Sequence, residues 1–335
     1  MSAAEKVRVA IIGAGRFAND CRIPNLNSLD AAELTAVCDI NHEAAASTAE
    51  SFDIPKTYEN GHEMLEREEF DVLYSIVRAG DRVEGVEAAA ASKGIHIFTE
   101  KPQALTMDVA KAMEQAIREA GVFSTVGYRE RYRPIFQEAR RLLEDKKIVH
   151  VRFQHFGGLP STDQGERTGM DGLSDLNCVA IGWGPHAVDY IRFMTGLNIV
   201  RAQAFFHYPE QYSRPLSHSF NFAFSTGATA TMNFTNSGQG RSVEPYFTIY
   251  FEGGYLGVHG YDRIEMNGEV VYEAEEFDPW LEQDRTFIEA IRSGDGSPIL
   301  SDHADGLYTL APVLAGWESA RINGESIDVL RLLED

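Results

Sequence analysis

Along the first 127 residues, apolar runs of four to seven positions alternate with stretches whose apolar residues recur at helical spacing. The first run is Val7, Val9, Ala10, Ile11 and Ile12, which stops at Gly13-Ala14-Gly15. A second strand is predicted in "ELTAVCDIN" (33–41), followed by a helix at about 42–52, a short strand at Lys56–Tyr58 and a helix at 60–67. "DVLYSIV" (71–77) reads as a strand, 83–93 as an alanine-rich helix and "IHIF" (95–98) as the next strand. A helix over about 107–120 closes at Gly121, and "VFSTVGY" (122–128) is strand-like. Strand and helix taking turns in this way predict an α/β fold with a doubly wound parallel sheet. Beyond residue 127 the pattern changes. "SFNFAFSTGATATMNFTNSG" (219–238) and "YFTIYFEGGYLGVHG" (246–260) alternate with period two, as expected of a mainly antiparallel open sheet covered on one face. Two domains are therefore expected, 1–127 and 128–335, the second being α+β.

The break after the first strand reads Gly13-x-Gly15-x-x-Ala18, with Arg16 and Phe17 filling the gap. In a dinucleotide fold the first glycine permits the tight turn and the second lets backbone approach a pyrophosphate. The small third residue lets helix pack on strand. A plain strand–helix turn is the alternative. Asp39 ends the second strand, 21 residues after Ala18, where a ribose-binding carboxylate belongs. Such an acid accepts from ribose hydroxyls and repels a 2′-phosphate, and no Lys or Arg follows it in "DINHEAAA", so NAD is expected over NADP. The competing role for Asp39 is to cap the next helix.

Composition narrows the classes. The chain has 335 residues, a formal net charge of −21 and three scattered cysteines, Cys21, Cys38 and Cys178. Such a charge excludes nucleic acid and anionic membrane as expected partners. Three cysteines without Cys-x-x-Cys spacing suggest neither a disulfide framework nor a metal pair. No apolar run is long enough to span a bilayer and no secretory leader is visible at the start, so a cytoplasmic location is expected. His155, His186 and Asp189 lack metal-ligand spacing, and no metal site is expected.

"HIFTEKPQALT" (96–106) puts an acid, a lysine and a proline at the carboxyl end of a strand, where doubly wound sheets bind ligands. Packing alone explains a lysine poorly there. With "GAGRFA" (13–18), "EKP" (100–102), "GYRERYRP" (127–134), "GPHAVDY" (184–190) and the late "FIEAI" (287–291), the chain resembles the glucose–fructose oxidoreductase, inositol dehydrogenase and MocA family. The resemblance implies an amino-terminal Rossmann domain, then an open sheet that often mediates dimers and tetramers. It implies NAD(P)-dependent oxidation of a secondary hydroxyl of a sugar, inositol or glycoside. Lys101 matches the family's active-site lysine, near nicotinamide and substrate, and His186 the histidine that exchanges the substrate proton. Arg131, Asp189, His155 and Trp280 fall where relatives contact substrate. Gly13, Gly15, Arg16, Phe17, Ala18, Asp39, Glu100 and Lys101 make up the expected cofactor side, Glu100 also holding its turn.

The chain departs from the family at two places. Inositol dehydrogenase-like members read Asp-x-Gly-x-His, whereas here "GWGPH" puts Gly182 in the aspartate's position. Asp171 and Asp175 are the candidates to supply a carboxylate instead. Where many members read Thr-Pro-x-x-x-His, this chain has "RAGDRV" (78–83). Arg78 and Arg82 there read as surface residues, with approach to the cofactor or an anionic substrate as the alternative. Besides a dehydrogenase, two other functions fit the resemblance: redox-neutral, NAD-assisted epimerisation or glycoside cleavage, and a non-catalytic NAD or sugar sensor.

Overall fold

The computed structural model describes residues 6–163, 182–238 and 246–334; Asp171, Asp175 and Cys178 lie outside the described residues. The chain forms two compact units, Met1–Tyr132 with Asp278–Gly306, and Arg133–Phe277 with Leu307–Asp335.

In the first unit, β1 (Val7–Ile12), β2 (Ala32–Cys38), β3 (Lys56–Tyr58), β4 (Val72–Ser75), β5 (His96–Thr99) and β6 (Ser124–Val126) pair in parallel in the order β3-β2-β1-β4-β5-β6. The first β–α link is a π-helical turn, Ala18–Arg22, running into α1 (Ile23–Ser28). Then follow α2 (His42–Phe52), α3 (Gly61–Arg67), α4 (Val86–Ser92) and α5 (Met107–Ala120). Helices cover both sheet faces, so the strands are apolar on both. Val9 and Ile11 enter one core with Tyr74, Phe98 and Phe287, while Ala10 between them enters the other with Leu73, Ile97 and Met113. Asn41, Asn60 and Thr106 cap α2, α3 and α5. The sheet order reverses between β1 and β4, which opens the crevice where such folds take ligands. The predicted helix from residue 83 starts later, at Val86, because 79–84 wind as a 3₁₀ turn around the buried Arg82.

Among the described residues, the second unit holds a nine-stranded sheet. It contains β7 (Ile148–Gly157), β8 (Ile199–His207), β9 (Ser217–Phe224), β10 (Thr229–Asn236), β11 (Phe247–Phe251), β12 (Gly254–His259), β13 (Arg263–Met266), β14 (Glu269–Glu273) and β15 (Ile327–Asp328). Every neighbouring pair is antiparallel except β7 with β10. On β9 and β10, Phe220, Phe222, Phe224, Met232 and Phe234 point to the core, while Ser219, Asn221, Thr229, Thr231 and Asn233 line the other, more open face. α6 (Pro134–Leu143) and α7 (Gly184–Thr195) pack on the apolar side, with the Phe136 and Tyr190 rings stacked at 4.8 Å and Phe136 edge-on to Phe247. The fold class expected from the sequence, a Rossmann sheet and a mainly antiparallel sheet, is the one observed. α8 (Pro279–Ser293) brings Phe287 and Ile288 into the first unit's core; α9 (His303–Arg321) and α10 (Val329–Glu334) complete the chain.

Candidate active-site residues in the two units

Gly13 leaves β1 with φ +100°, and a Cβ there would lie 2.9 Å from the carbonyl carbon and oxygen of Ile76. Conformation and packing both require glycine. Gly15 is different: its φ lies outside the left-handed range and a Cβ would meet nothing within 4 Å. Among the described residues nothing crowds position 15, so the open side of the turn is unobstructed there. That is the cradle a pyrophosphate needs, and the residues present fit a dinucleotide. Asn19 Nδ2 donates to the carbonyls of Ala14 and Gly15 at 2.8 and 3.1 Å, and Thr48 donates to Asn19 Oδ1. Asp39 accepts from the Ala14 and Asn41 N–H groups, both at 2.8 Å, so its carboxylate lies beside the turn and the α2 cap falls to Asn41. Arg16, paired with Asp20, and Phe17 are exposed, whereas Ala18 is packed in the core.

Beyond β5, Glu100 is buried against Arg22, a fully buried arginine that sequence reasoning passed over. Arg22 Nε and Nη2 donate to Glu100 Oε1 at 2.8 and 2.7 Å, Nη1 to Asp284 at 2.8 Å and Nη2 to Gln283 at 2.9 Å. Its guanidinium also lies 4.5 Å over the Phe98 ring. Burial disfavours ionisation of Glu100, but Arg22 and Lys101 outweigh it and hold the carboxyl below its usual range. Asp284 goes the other way: burial pushes it up to about 6 despite Arg22. The Lys101 N–H donates to Glu100 Oε2 at 3.3 Å, and the Lys101–Pro102 bond is cis. Burial lowers the Lys101 ammonium, Glu100 opposes that, and Arg129 adds to it. Gly127 leaves room for the Glu100 side chain, since a Cβ there would fall 2.7 Å from Oε2.

The surface role expected for Arg82 is overturned. Arg78 is exposed, but Arg82 is buried, because the turn offers it backbone carbonyls and the Glu87 carboxylate 3.6 Å away. Arg131 is buried too, and its guanidinium donates to the Leu300 carbonyl and to Asp305, both at 2.5 Å. Trp280 is the second residue of α8, with the Arg129 guanidinium 4.1 Å over its ring.

In the second unit, the α7 residues His186 and Asp189 are both buried. Asp189 accepts from Thr309 Oγ1 at 3.3 Å, and Thr309 accepts from Arg192 at 2.7 Å. His186 packs between Trp183, 5.5 Å away, and Tyr190 at 5.8 Å. His155 on β7 stacks on the same indole at 5.4 Å, and burial lowers its imidazole below the usual range. Trp183, 42 % exposed, therefore links the two histidines chosen from the sequence, and no pattern had singled it out. Among the described residues, no group of three or more His, Cys, Asp or Glu is arranged to hold a metal, and no helix is long and apolar enough to cross a membrane.

Residues 7–128 match a family model described as an oxidoreductase family with an NAD-binding Rossmann fold, the GFO/IDH/MocA family. Over that stretch the chain matches this family. It is 30% identical over 201 residues to D-apiose dehydrogenase of Paraburkholderia graminis, covering 57% of this chain and 50% of that one. It is 26% identical over 198 residues to the NAD(+)-dependent scyllo-inositol 2-dehydrogenase of Bacillus subtilis, covering 58% and 55%. The chain thus matches about half the length of these curated relatives. A solved oxidoreductase from Thermotoga maritima superposes with a TM-score of 0.83 at 20% identity over 98% of this chain and all of that one, a likeness of fold. The family resemblance read from the sequence agrees with these matches, the family model covering residues 7–128.

Proposed function

We propose that this chain is a member of that family and an NAD-dependent dehydrogenase that oxidises a secondary hydroxyl of a sugar, inositol or glycoside. The observation that carries this reading is the Lys101 turn. A lysine is fixed at the carboxyl edge of a doubly wound sheet, in the same sheet as the glycine cradle, with its ammonium made more acidic by burial. A cation so held polarises a carbonyl oxygen or stabilises the developing alkoxide. The Gly13–Ala18 turn would hold the pyrophosphate and Asp39 the ribose hydroxyls. A bound nicotinamide would supply the hydride acceptor. His186 would exchange the hydroxyl proton, a task that imidazole performs near neutral pH. Trp183 and His155 offer aromatic faces for the apolar side of a ring substrate. The apiose and scyllo-inositol dehydrogenases support a sugar-type substrate, although each matches over about half its length. The more open, hydroxyl-rich face of the second unit's sheet supports assembly into a dimer or tetramer.

The test is a panel of sugars, inositols and glycosides with NAD and NADP, followed at the absorbance of the reduced cofactor. Reduction with NAD and its loss in Lys101→Ala support the reading; substrate turnover unaffected by Lys101→Ala overturns it. Gly182, in place of the family's aspartate, favours one second reading, redox-neutral epimerisation or cleavage. Product formation without a stoichiometric rise in reduced cofactor would select it.

A further inference from the structure

The Lys101 turn is held at both flanks. On one side Arg22 grips the Glu100 side chain. On the other lies Arg82, whose side chain has no exposed surface. Its Nη1 donates to the Pro102 carbonyl at 2.6 Å. Its Nη2 donates to the Val77 carbonyl at 2.8 Å and reaches that of Ser75 at 3.4 Å, and Nε reaches Ser75 Oγ at 3.3 Å. Glu87 balances the charge and accepts from Ser75 Oγ at 2.5 Å. The Ser75 carbonyl also accepts from the Glu100 N–H at 3.0 Å.

A buried guanidinium is costly unless its donors are matched. Glu87 alone would neutralise it, yet the fork is turned mainly onto backbone carbonyls of two separate segments. One is the exit of β4, the other the residue directly after Lys101. A planar guanidinium can bridge two such segments at once, whereas a lysine ammonium acts as a point charge. Buried arginines therefore hold both flanks of residue 101, Arg22 through the Glu100 side chain and Arg82 through the Pro102 carbonyl, while residue 101 itself is half-buried.

We propose that Arg82 is a positioning residue for Lys101: by tying the Pro102 carbonyl to the end of β4, it fixes the direction in which the lysine ammonium is presented. This rests on Lys101 acting in the reaction proposed above. Small misplacements of a reacting group are expensive, so the effect falls on turnover rather than on binding. Glu100 and Arg129 are among the charged groups that bear on Lys101, and loosening the turn would change its distance from both and its burial.

The experiment compares Arg82→Met and Arg82→Lys with the parent, adding Arg82→Met/Glu87→Gln in case the single change, which leaves a buried carboxylate uncompensated, does not fold. Two measurements are made on each folded variant. The first is steady-state kinetics on a substrate that Lys101→Ala fails to turn over. The second is the titration of Lys101, followed by NMR of ¹³C-methylated lysines and assigned with Lys101→Arg. For the methionine variants kcat falls about 10–100-fold while KM and the Kd for NAD change less than about threefold, and the lysine variant recovers part of the loss. The Lys101 midpoint moves up, toward the ordinary lysine value, as the turn loosens. Turnover within about twofold of the parent, or a Lys101 midpoint that does not move, overturns the proposal. Should Lys101→Ala prove fully active on every substrate found, the dehydrogenase reading fails, and the lysine titration still decides whether Arg82 governs the lysine's surroundings.

Discussion

A lysine ammonium made more acidic by burial, yet fixed beside a carboxylate, is poised to donate a hydrogen bond to an oxyanion. Lys101→Ala is expected to lower kcat by roughly 10²–10³ with NAD affinity preserved, since the glycine turn, not the lysine, would hold the phosphates. His186→Ala is expected to lower kcat by roughly 10²–10⁴ and flatten the pH profile near neutrality. A histidine variant that stays active while the lysine variant dies would make Lys101 the proton carrier. Asp39→Ala should narrow the difference between NAD and NADP affinities, measured by titration; equal affinities in the parent would remove the basis for that expectation. Asp284 gives a prediction about stability. Its folded-state value of about 6 lies above the ordinary 3.8, so the folded state holds this proton more tightly. Stability therefore falls, on this group's account, as pH rises from about 4 to about 6. Glu100, held low, acts in the opposite sense: its contribution is present above the ordinary carboxylate range and is lost in acid. In Asp284→Asn, the Tm should rise more steeply with pH between about 4 and 6 than in the parent, read by thermal melts in matched buffers.

At the scale of elements, the two glycines of the first turn separate fold from ligand. Gly13→Ala forces a positive φ on a side-chain-bearing residue, at about 1–3 kcal/mol, and drives a methyl into Ile76, so Tm should drop clearly. Gly15→Ala meets open space, so Tm should hold while NAD affinity falls about tenfold or more, as measured by titration. Elements of this kind were legible because their causes are local. Strand–helix alternation and the glycine turn each lie within a few consecutive residues. Arg22 and Arg82 were not legible for the converse reason. A single arginine between ordinary neighbours reads as solvated, and only chain closure brings Glu100 and Asp284 to one, Pro102 and Glu87 to the other. Trp183 went unnoticed for a similar reason, since its partner His155 sits on a distant strand.

At the scale of the whole molecule, the open face of the nine-stranded sheet leads to an expected dimer or tetramer in solution, and a monomer by light scattering at micromolar concentration would count against it. The Arg22 cluster reaches further. Its partners Glu100 and Asp284 lie 78 and 262 residues further along the chain. During synthesis the Rossmann strands leave the ribosome long before Asp284, Gln283 and Phe287 exist. Until α8 arrives, Arg22 has Glu100 alone, and the apolar surface that Phe287 and Ile288 cover stays wet. A nascent chain stopped after residue 277 should therefore be open to protease within its first 132 residues and lack a sharp melting transition. The strands of the first unit are made well before the helix that completes their core.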